Sequence, residues 1–390
     1  MQFVFVLDQA VNNRCQSVKP LLTNCVYQLM QLLRKQLDKI GRDPEITAKS
    51  VGLRYVTDSS PGYSRVAKGK SYQFLDDKNS IVKDKEQLER FKKMVIPPAY
   101  TEVWICKYEN GHLQFTGLDA AGRKQYRYHG DWNKIRNQSK YHRMEVFASH
   151  IPKIREQIDA DLSRKNLDKQ KVMALVVRVM ELTHIRIGND SYRELYGSYG
   201  LTTLQDEHVE IKDGTVKFGF KGKKGVYHDL KLESKMLAKL IKQCQDIPGQ
   251  ELFQYYDENH EAHDVTSGDV NTYLKEITGE DFTAKDFRTW SGSVHALYAF
   301  KAAGGFSTAT ECKKNITKVL DDVAFNLGNT RTVCKKYYVH PTLIKSYEEG
   351  RIDRYLEQIT EDKPLSVPGL NQAEKVLLEL IGKEKIAEAL

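Results

Sequence analysis

Four short segments set an arginine, a lysine, a second arginine and a tyrosine in one order along the chain. The first is Thr183-His184-Ile185-Arg186-Ile187-Gly188-Asn189-Asp190. Arg186 follows directly on an almost solidly apolar stretch, where an unpaired guanidinium is costly. It must meet a buried carboxylate or an anion that arrives with a substrate. The second, Phe218-Gly219-Phe220-Lys221-Gly222-Lys223-Lys224-Gly225, puts Lys223 at a hairpin tip, although a lysine run on a turn is ordinarily just solvated. The third is Lys285-Asp286-Phe287-Arg288-Thr289-Trp290, with Arg288 near the start of a helix. The fourth opens on Leu327-Gly328-Asn329 and closes on Tyr337-Tyr338-Val339-His340-Pro341. Guanidinium groups can clamp phosphate oxygens, and an activated tyrosine hydroxyl can form a covalent intermediate. With 21 tyrosines in the chain, one taken at random belongs to core or surface. A tyrosine nine residues after Asn329, following Arg, Lys and Lys-x-x-Arg in that order, is a different matter.

Other chemistries lack their residues. The glycines of Gly117-Leu118-Asp119-Ala120-Ala121-Gly122-Arg123-Lys124 are spaced like a phosphate loop. The Gly-Lys-Ser/Thr ending that would hold phosphate and Mg²⁺ is missing, so nucleotide binding is not expected. The run Asp257 to Asp264, with His260 and His263, reads as a solvated turn rather than a metal site. There is no acidic cluster suited to two-metal hydrolysis.

One stretch suits a polyanion. From Asp119 to Arg143 there are seven basic residues, Arg123, Lys124, Arg127, Lys134, Arg136, Lys140 and Arg143, against the two acids Asp119 and Asp131. Tyr126, Tyr128, Trp132 and Tyr141 are interleaved with them. The bases can neutralise phosphates while Gln125, Tyr126 and Tyr128 reach sugars and base edges. A charged surface strand with its tyrosines turned inward fits the same pattern.

The elements that must position these residues fall into four stretches. Residues 1–45 read as an extension whose clearest feature is a helical pattern over Val26–Ile40, closed by a linker-like Gly41-Arg42-Asp43-Pro44. Residues 46–140 read as a small β-rich domain, with β-type runs at Leu53–Val56, Val103–Cys106 and Leu113–Thr116 and a hairpin signal at Asn110-Gly111. Residues 141–360 read as mainly helical, with a buried helix over Val172–Ile185 capped by Asp168. A three-stranded meander interrupts the helices: His208–Ile211, the turn Asp213-Gly214, Thr215–Phe220, the Lys223 turn, then Val226–Leu230. Residues 361–390 carry Pro364, Pro368 and an amphipathic helix from about Asn371 to Leu390. The fold class is α+β.

At 390 residues the chain exceeds what one core usually organises. Its 60 Lys and Arg against 52 Asp and Glu leave a net charge of +8, which favours a polyanionic partner. The six cysteines are scattered without a C-x-x-C pair, which fits a reducing compartment. No apolar run is long enough to span a bilayer, and the start Met1–Leu7 is too short for a signal segment.

The ordered set in the helical half resembles the type IB DNA topoisomerases, specifically their small poxvirus-like and bacterial branch. The resemblance runs from about Gly52 to Tyr347 and includes Gly52-Leu53-Arg54-Tyr55, Ile96-Pro97-Pro98, Gly122 to Tyr128 (GRKQYRY), Gly200-Leu201-Thr202-Thr203 and Tyr338-Val339-His340-Pro341. It implies a β-rich domain and a helical catalytic domain closing on duplex DNA as a C-shaped clamp. It also implies that Tyr338 attacks a phosphodiester, leaving a 3′-phosphotyrosyl enzyme and a free 5′-hydroxyl, and that the nick is resealed without ATP. Arg186, Arg288 and Asn329 would hold the phosphate oxygens, Lys223 would protonate the leaving oxygen, and Lys285 would assist it or bind DNA. Arg123, Lys124, Gln125, Tyr126, Arg127, Tyr128 and Lys140 would line the DNA path. Some members carry histidine where this chain has Asn329, whose amide can still donate to a phosphate oxygen. The expected protein is a cytoplasmic, nucleoid-associated monomer acting on double-stranded DNA without cofactor, metal, nucleotide or membrane. Two rivals share features. Tyrosine recombinases use the same Arg-Lys-Arg-Tyr chemistry but generally carry His-x-x-Arg in place of Lys285-x-x-Arg288, and a non-catalytic DNA-binding protein could keep the fold alone.

Overall fold

A computed structural model describes residues 40, 43–69, 71–120, 122–360 and 369–389. The helix expected over Val26–Ile40, apart from its last residue, lies outside the described residues, as do Gly41, Arg42, Pro364 and Pro368. Asp43, read as part of a linker, instead N-caps a helix, Pro44–Ser50, its carboxylate accepting from the amides of Glu45 and Ile46. Pro44 suits the first helical position because its missing N–H has no partner there anyway. The chain is mixed helix and sheet, and it divides into two compact units, Met1–His142 and Arg143–Leu390. That boundary falls inside the long helix Gly130–Leu162. Among the described residues no helix is long and apolar enough to cross a membrane.

The first unit is built on an antiparallel sheet of five strands, β1 (Gly62–Lys68), β2 (Ser71–Leu75), β3 (Thr101–Cys106), β4 (Leu113–Leu118) and β5 (Lys124–Tyr128), in the order β2-β1-β3-β4-β5. Phe91, Val103, Ile105 and Phe115 form its core. Phe91 comes from a helix, Lys85–Lys93, which Asp84 caps through the amides of Glu86 and Gln87. Leu53–Val56, expected as a strand, makes only a single bridge, Arg54 to Gly111. Its residues are held by the Asn110-Gly111 loop that joins β3 to β4, with Arg54 N donating to Asn110 O at 2.8 Å.

In the second unit the apolar stretch forms the helix Lys169–Thr183, buried on nearly every side, with the Asp168 carboxylate accepting from Lys171 N. The meander forms as β6 (Val209–Lys212), β7 (Thr215–Lys221) and β8 (Tyr227–Glu233) in sequential order. Asp213 and Gly214 both take positive φ, 53° and 79°, as a two-residue hairpin turn requires. The final helix, Gln372–Ala389, buries Ala373, Val376, Leu377, Leu380 and Ile381 in the core of this unit. It is tied in by Glu374, which pairs with buried Arg155 at 2.8 Å and accepts from Trp290 Nε1 at 2.9 Å.

Candidate active site

Arg186 follows the end of the Lys169–Thr183 helix, outside any helix or strand and just past His184, whose left-handed φ of 56° ends that helix. Arg288 sits one turn into the helix Ala284–Ala303, whose start is fixed by a capping box of Thr283 and Asp286. The two guanidinium groups converge on one turn, Leu327-Gly328-Asn329. Arg186 Nη2 donates to Gly328 O at 3.0 Å and to Asn329 Oδ1 at 2.6 Å. Arg288 Nη2 donates to Leu327 O at 2.6 Å, and its Nη1 donates to His184 O. Asn329 Nδ2 turns back to Leu327 O at 3.3 Å.

The choice left open for Arg186, buried carboxylate or incoming anion, is narrowed by these partners. Two buried acids, Glu181 and Glu374, are engaged elsewhere: both pair with Arg155, at 2.7 and 2.8 Å. Neither Arg186 nor Arg288 forms an ion pair with a carboxylate among the described residues. Arg288 is only 5% exposed, and its Nε has no hydrogen-bond partner among the described residues. Burial first, and the charge of Arg288 second, bring Arg186 down to about 10, still protonated at neutral pH. Two such charges largely withdrawn from water, with carbonyl groups and the Tyr338 side chain but no carboxylate as partners among the described residues, are suited to an anion.

Tyr338 lies against this pair. It is the C-cap of the helix Arg331–Tyr337, with its amide on Cys334 O at 2.9 Å, and Arg288 Cζ lies 5.5 Å from its ring centroid. The helix that carries Arg288 also seats the tyrosine's backbone one turn later. Ser293 Oγ donates to Tyr338 O at 3.1 Å and accepts from His340 N at 3.0 Å. At Gly292 a Cβ would fall 2.8 Å from Tyr338 O, so no side chain fits there. Tyr337 is 36% exposed and pairs instead with Lys336, whose Nζ lies 5.2 Å from its ring centroid.

Lys223 is exposed in the 3₁₀ turn Lys223–Gly225 between β7 and β8, with its Nζ 5.4 Å from the Tyr192 ring centroid. Partial desolvation, then the charges of Arg186, Lys224 and Lys285, hold its ammonium below the usual lysine range. Lys285 is exposed on the first turn of the Arg288 helix. Arg186, Lys223, Lys285, Arg288, Asn329 and Tyr338 thus gather in one region from four separate stretches of chain. The sequence reading missed His184, Gly292 and Ser293. Of these only Gly292 left a signal, as a glycine inside a helical pattern, which usually marks close packing.

The first part of the basic stretch forms β5, the edge strand of the first unit's sheet, and Lys134, Arg136, Lys140 and Arg143 follow on the helix Gly130–Leu162. Tyr126 and Tyr128 lie on one face of β5 with rings stacked 6.1 Å apart, Tyr128 packing with Trp132 in the small core around Ala48 and Leu53 while Tyr126 is 51% exposed. Arg123 pairs with Asp119 at 2.7 Å, Lys124 with Asp58 at 2.5 Å, and Gln125 Nε2 reaches Asp119 at 2.9 Å. Lys140 lies over Tyr141, 5.6 Å from its centroid. Arg127 is exposed and makes no ion pair among the described residues. If β5 tracks phosphates, Arg127→Ala alone should lower the slope of log K against log salt by about one. Adding Arg123→Ala and Lys124→Ala should lower it by less than two more, because those two must first leave their carboxylates. Fluorescence anisotropy over a salt series measures this, and an unchanged slope in the triple variant would place the DNA elsewhere.

Two further stretches are turns. The phosphate-loop-like stretch spans the end of β4, the turn after it and the first residue of β5, with Asp119 N on Arg123 O at 3.0 Å. Asp257, Glu261 and His263 do come together, but the Asp257 carboxylate accepts from the amides of Asn259 and Glu261 and from the His263 ring, as a surface turn requires.

Residues 129–364 match the family model described as eukaryotic DNA topoisomerase I, catalytic core. Residues 71–119 match that of bacterial DNA topoisomerase IB, N-terminal domain. A DNA topoisomerase 1B of Acanthamoeba polyphaga mimivirus is 31% identical over 286 residues, 72% of this chain and 84% of its own. The DNA topoisomerase 1B of Vaccinia virus (strain Copenhagen) is 24% identical over 296 residues, 74% of this chain and 91% of its own.

Proposed function

Because the chain belongs to the type IB DNA topoisomerases, we propose that it relaxes supercoiled duplex DNA by nicking one strand through Tyr338 and resealing it. The observation that carries the assignment of residues is the pair of guanidinium groups beside that tyrosine, Arg288 buried and Arg186 half-buried, with no carboxylate partner among the described residues.

In this reading the Tyr338 hydroxyl gives up its proton to water as its oxygen forms a bond to phosphorus and the bond to the 5′ oxygen breaks. The released electron pair goes to that oxygen, which takes a proton. The product is a 3′-phosphotyrosyl enzyme and a free 5′-hydroxyl. Arg186 and Arg288 meet the non-bridging oxygens as permanent charges that do not have to reorganise as the transition state forms. Asn329 adds a neutral donor once its amide swings from Leu327 O. Lys223 gives the proton, helped by Lys285, since an ammonium held below its usual range releases it more easily near neutral pH. The phosphotyrosyl bond retains the energy of the phosphodiester, so resealing needs no ATP. The nicked strand rotates between the two steps. Also part of the proposal is that the protein acts as a monomer and that its two units close on the duplex as a clamp.

Purified protein should therefore relax both positively and negatively supercoiled plasmid in EDTA without nucleotide. Gel electrophoresis of topoisomers reads this directly. A strict requirement for Mg²⁺ or ATP would overturn the mechanism, and relaxation of negative supercoils alone would exclude free strand rotation.

A further inference from the structure

His228 on β8 stands directly across from Phe220 on β7 and stacks on its ring, with centroids 4.9 Å apart and planes 15° from parallel. Two glycines from different elements close on the imidazole. A Cβ at Gly222 would fall 2.6 Å from both Cδ2 and Nε2, and one at Gly328 would fall 2.4 Å from Cε1. Gly222 immediately precedes Lys223. Gly328 lies between Leu327, whose carbonyl holds Arg288, and Asn329, whose side chain holds Arg186. The ring therefore fills the gap between the lysine hairpin and the turn to which both arginines donate.

Its work there is steric. The ring nitrogens have no hydrogen-bond partner among the described residues, and burial together with the charges of Arg186 and Arg288 brings the imidazole down to about 4, neutral at working pH. Gly222 has φ −91° and ψ −165°, a conformation open to any residue, so the His228 contact and not the backbone requires glycine at that position.

We propose that His228 is a positioning residue for Lys223: its flat ring, wedged between Gly222 and Gly328, sets how far the lysine hairpin stands from the turn to which both arginines donate. This rests on Lys223 being the proton donor. Displacing a proton donor by about an ångström is enough to slow the step roughly 100-fold.

The test uses single-turnover cleavage of a duplex carrying either oxygen or sulfur at the bridging 5′ position of the scissile phosphodiester. A thiolate leaves without a proton, so a defect confined to proton delivery disappears on the sulfur substrate. His228→Ala and Gly222→Ala should each cleave the oxygen substrate about 10- to 100-fold slower than wild type. Both should cleave the sulfur substrate within about threefold of it, the part of the rate that needs no acid. The double variant should be no slower than the slower single, because the new methyl enters the space the ring has left. Equal slowing on both substrates, an unchanged rate on oxygen, or multiplying defects in the double variant would overturn the proposal. Lys223→Ala separates the two levels. If sulfur fails to rescue it, the proton-donor reading falls; if sulfur rescues it but not His228→Ala, the positioning role alone falls.

Discussion

Tyr338→Phe is expected to abolish the covalent DNA adduct while leaving non-covalent DNA binding nearly intact. The substitution removes one oxygen and keeps the ring beside Arg288, so the packing around Gly292 and Ser293 survives. Loss of a nucleophile that no neighbour can replace costs on the order of 10⁶-fold in rate. The adjacent Tyr337 cannot take over. It is the last residue of its helix, where successive side chains diverge by about 100°, and its ring is exposed beside Lys336. Tyr337→Phe should therefore form the adduct, at worst a few-fold slower. Denaturing the reaction on labelled DNA and mapping the attached peptide reads both outcomes. Attachment at Tyr337, or plasmid relaxation by Tyr338→Phe, would show that the site is centred on the wrong residue.

The residues that made this site legible are those whose chemistry is local to their segment. Asp168 announces a helix because its carboxylate caps the third amide after it, and Asp213-Gly214 announces a hairpin because both residues tolerate positive φ. Arg186 stood out because an apolar run led straight into a charge. The residues that were not legible act across space. Ser293 matters through Tyr338, forty-five positions away, and His228 through Gly328, a hundred positions away. Neither separation leaves a mark in spacing. The Lys85–Lys93 helix was hidden for another reason: only Phe91 in it is buried, and its charged flanks swamp the Leu88, Phe91 and Met94 stripe. Leu53–Val56 has strand-forming residues but a loop for a partner, so only one bridge forms where a ladder was expected.

Arg288→Lys should disable cleavage nearly as fully as Arg288→Ala, both by about 10³-fold or more, the range found when an arginine stabilises a phosphoryl transition state. The guanidinium spans two carbonyls from different stretches, His184 O and Leu327 O, and still presents N–H groups for a phosphate. A single ammonium cannot bridge the same two acceptors and face a third. Protonation adds to the loss. An arginine stays charged when buried, whereas a lysine at this 5% exposed position, next to Arg186, would shed its proton near neutral pH. The sign of the pH dependence follows. A lysine whose pKa is lowered carries its charge only below that value, so the rate of Arg288→Lys relative to wild type should climb as pH falls. Arg288→Ala should show no such recovery. The affinity of the non-covalent complex, spread over many phosphates, should change less than about tenfold in either variant. Single-turnover cleavage between pH 5 and 9, with binding measured in parallel, tests every part of this. Cleavage by Arg288→Lys within about tenfold of wild type at neutral pH would mean that charge alone suffices, and that the fork which ties this arginine to two carbonyls plays no part in holding the phosphate.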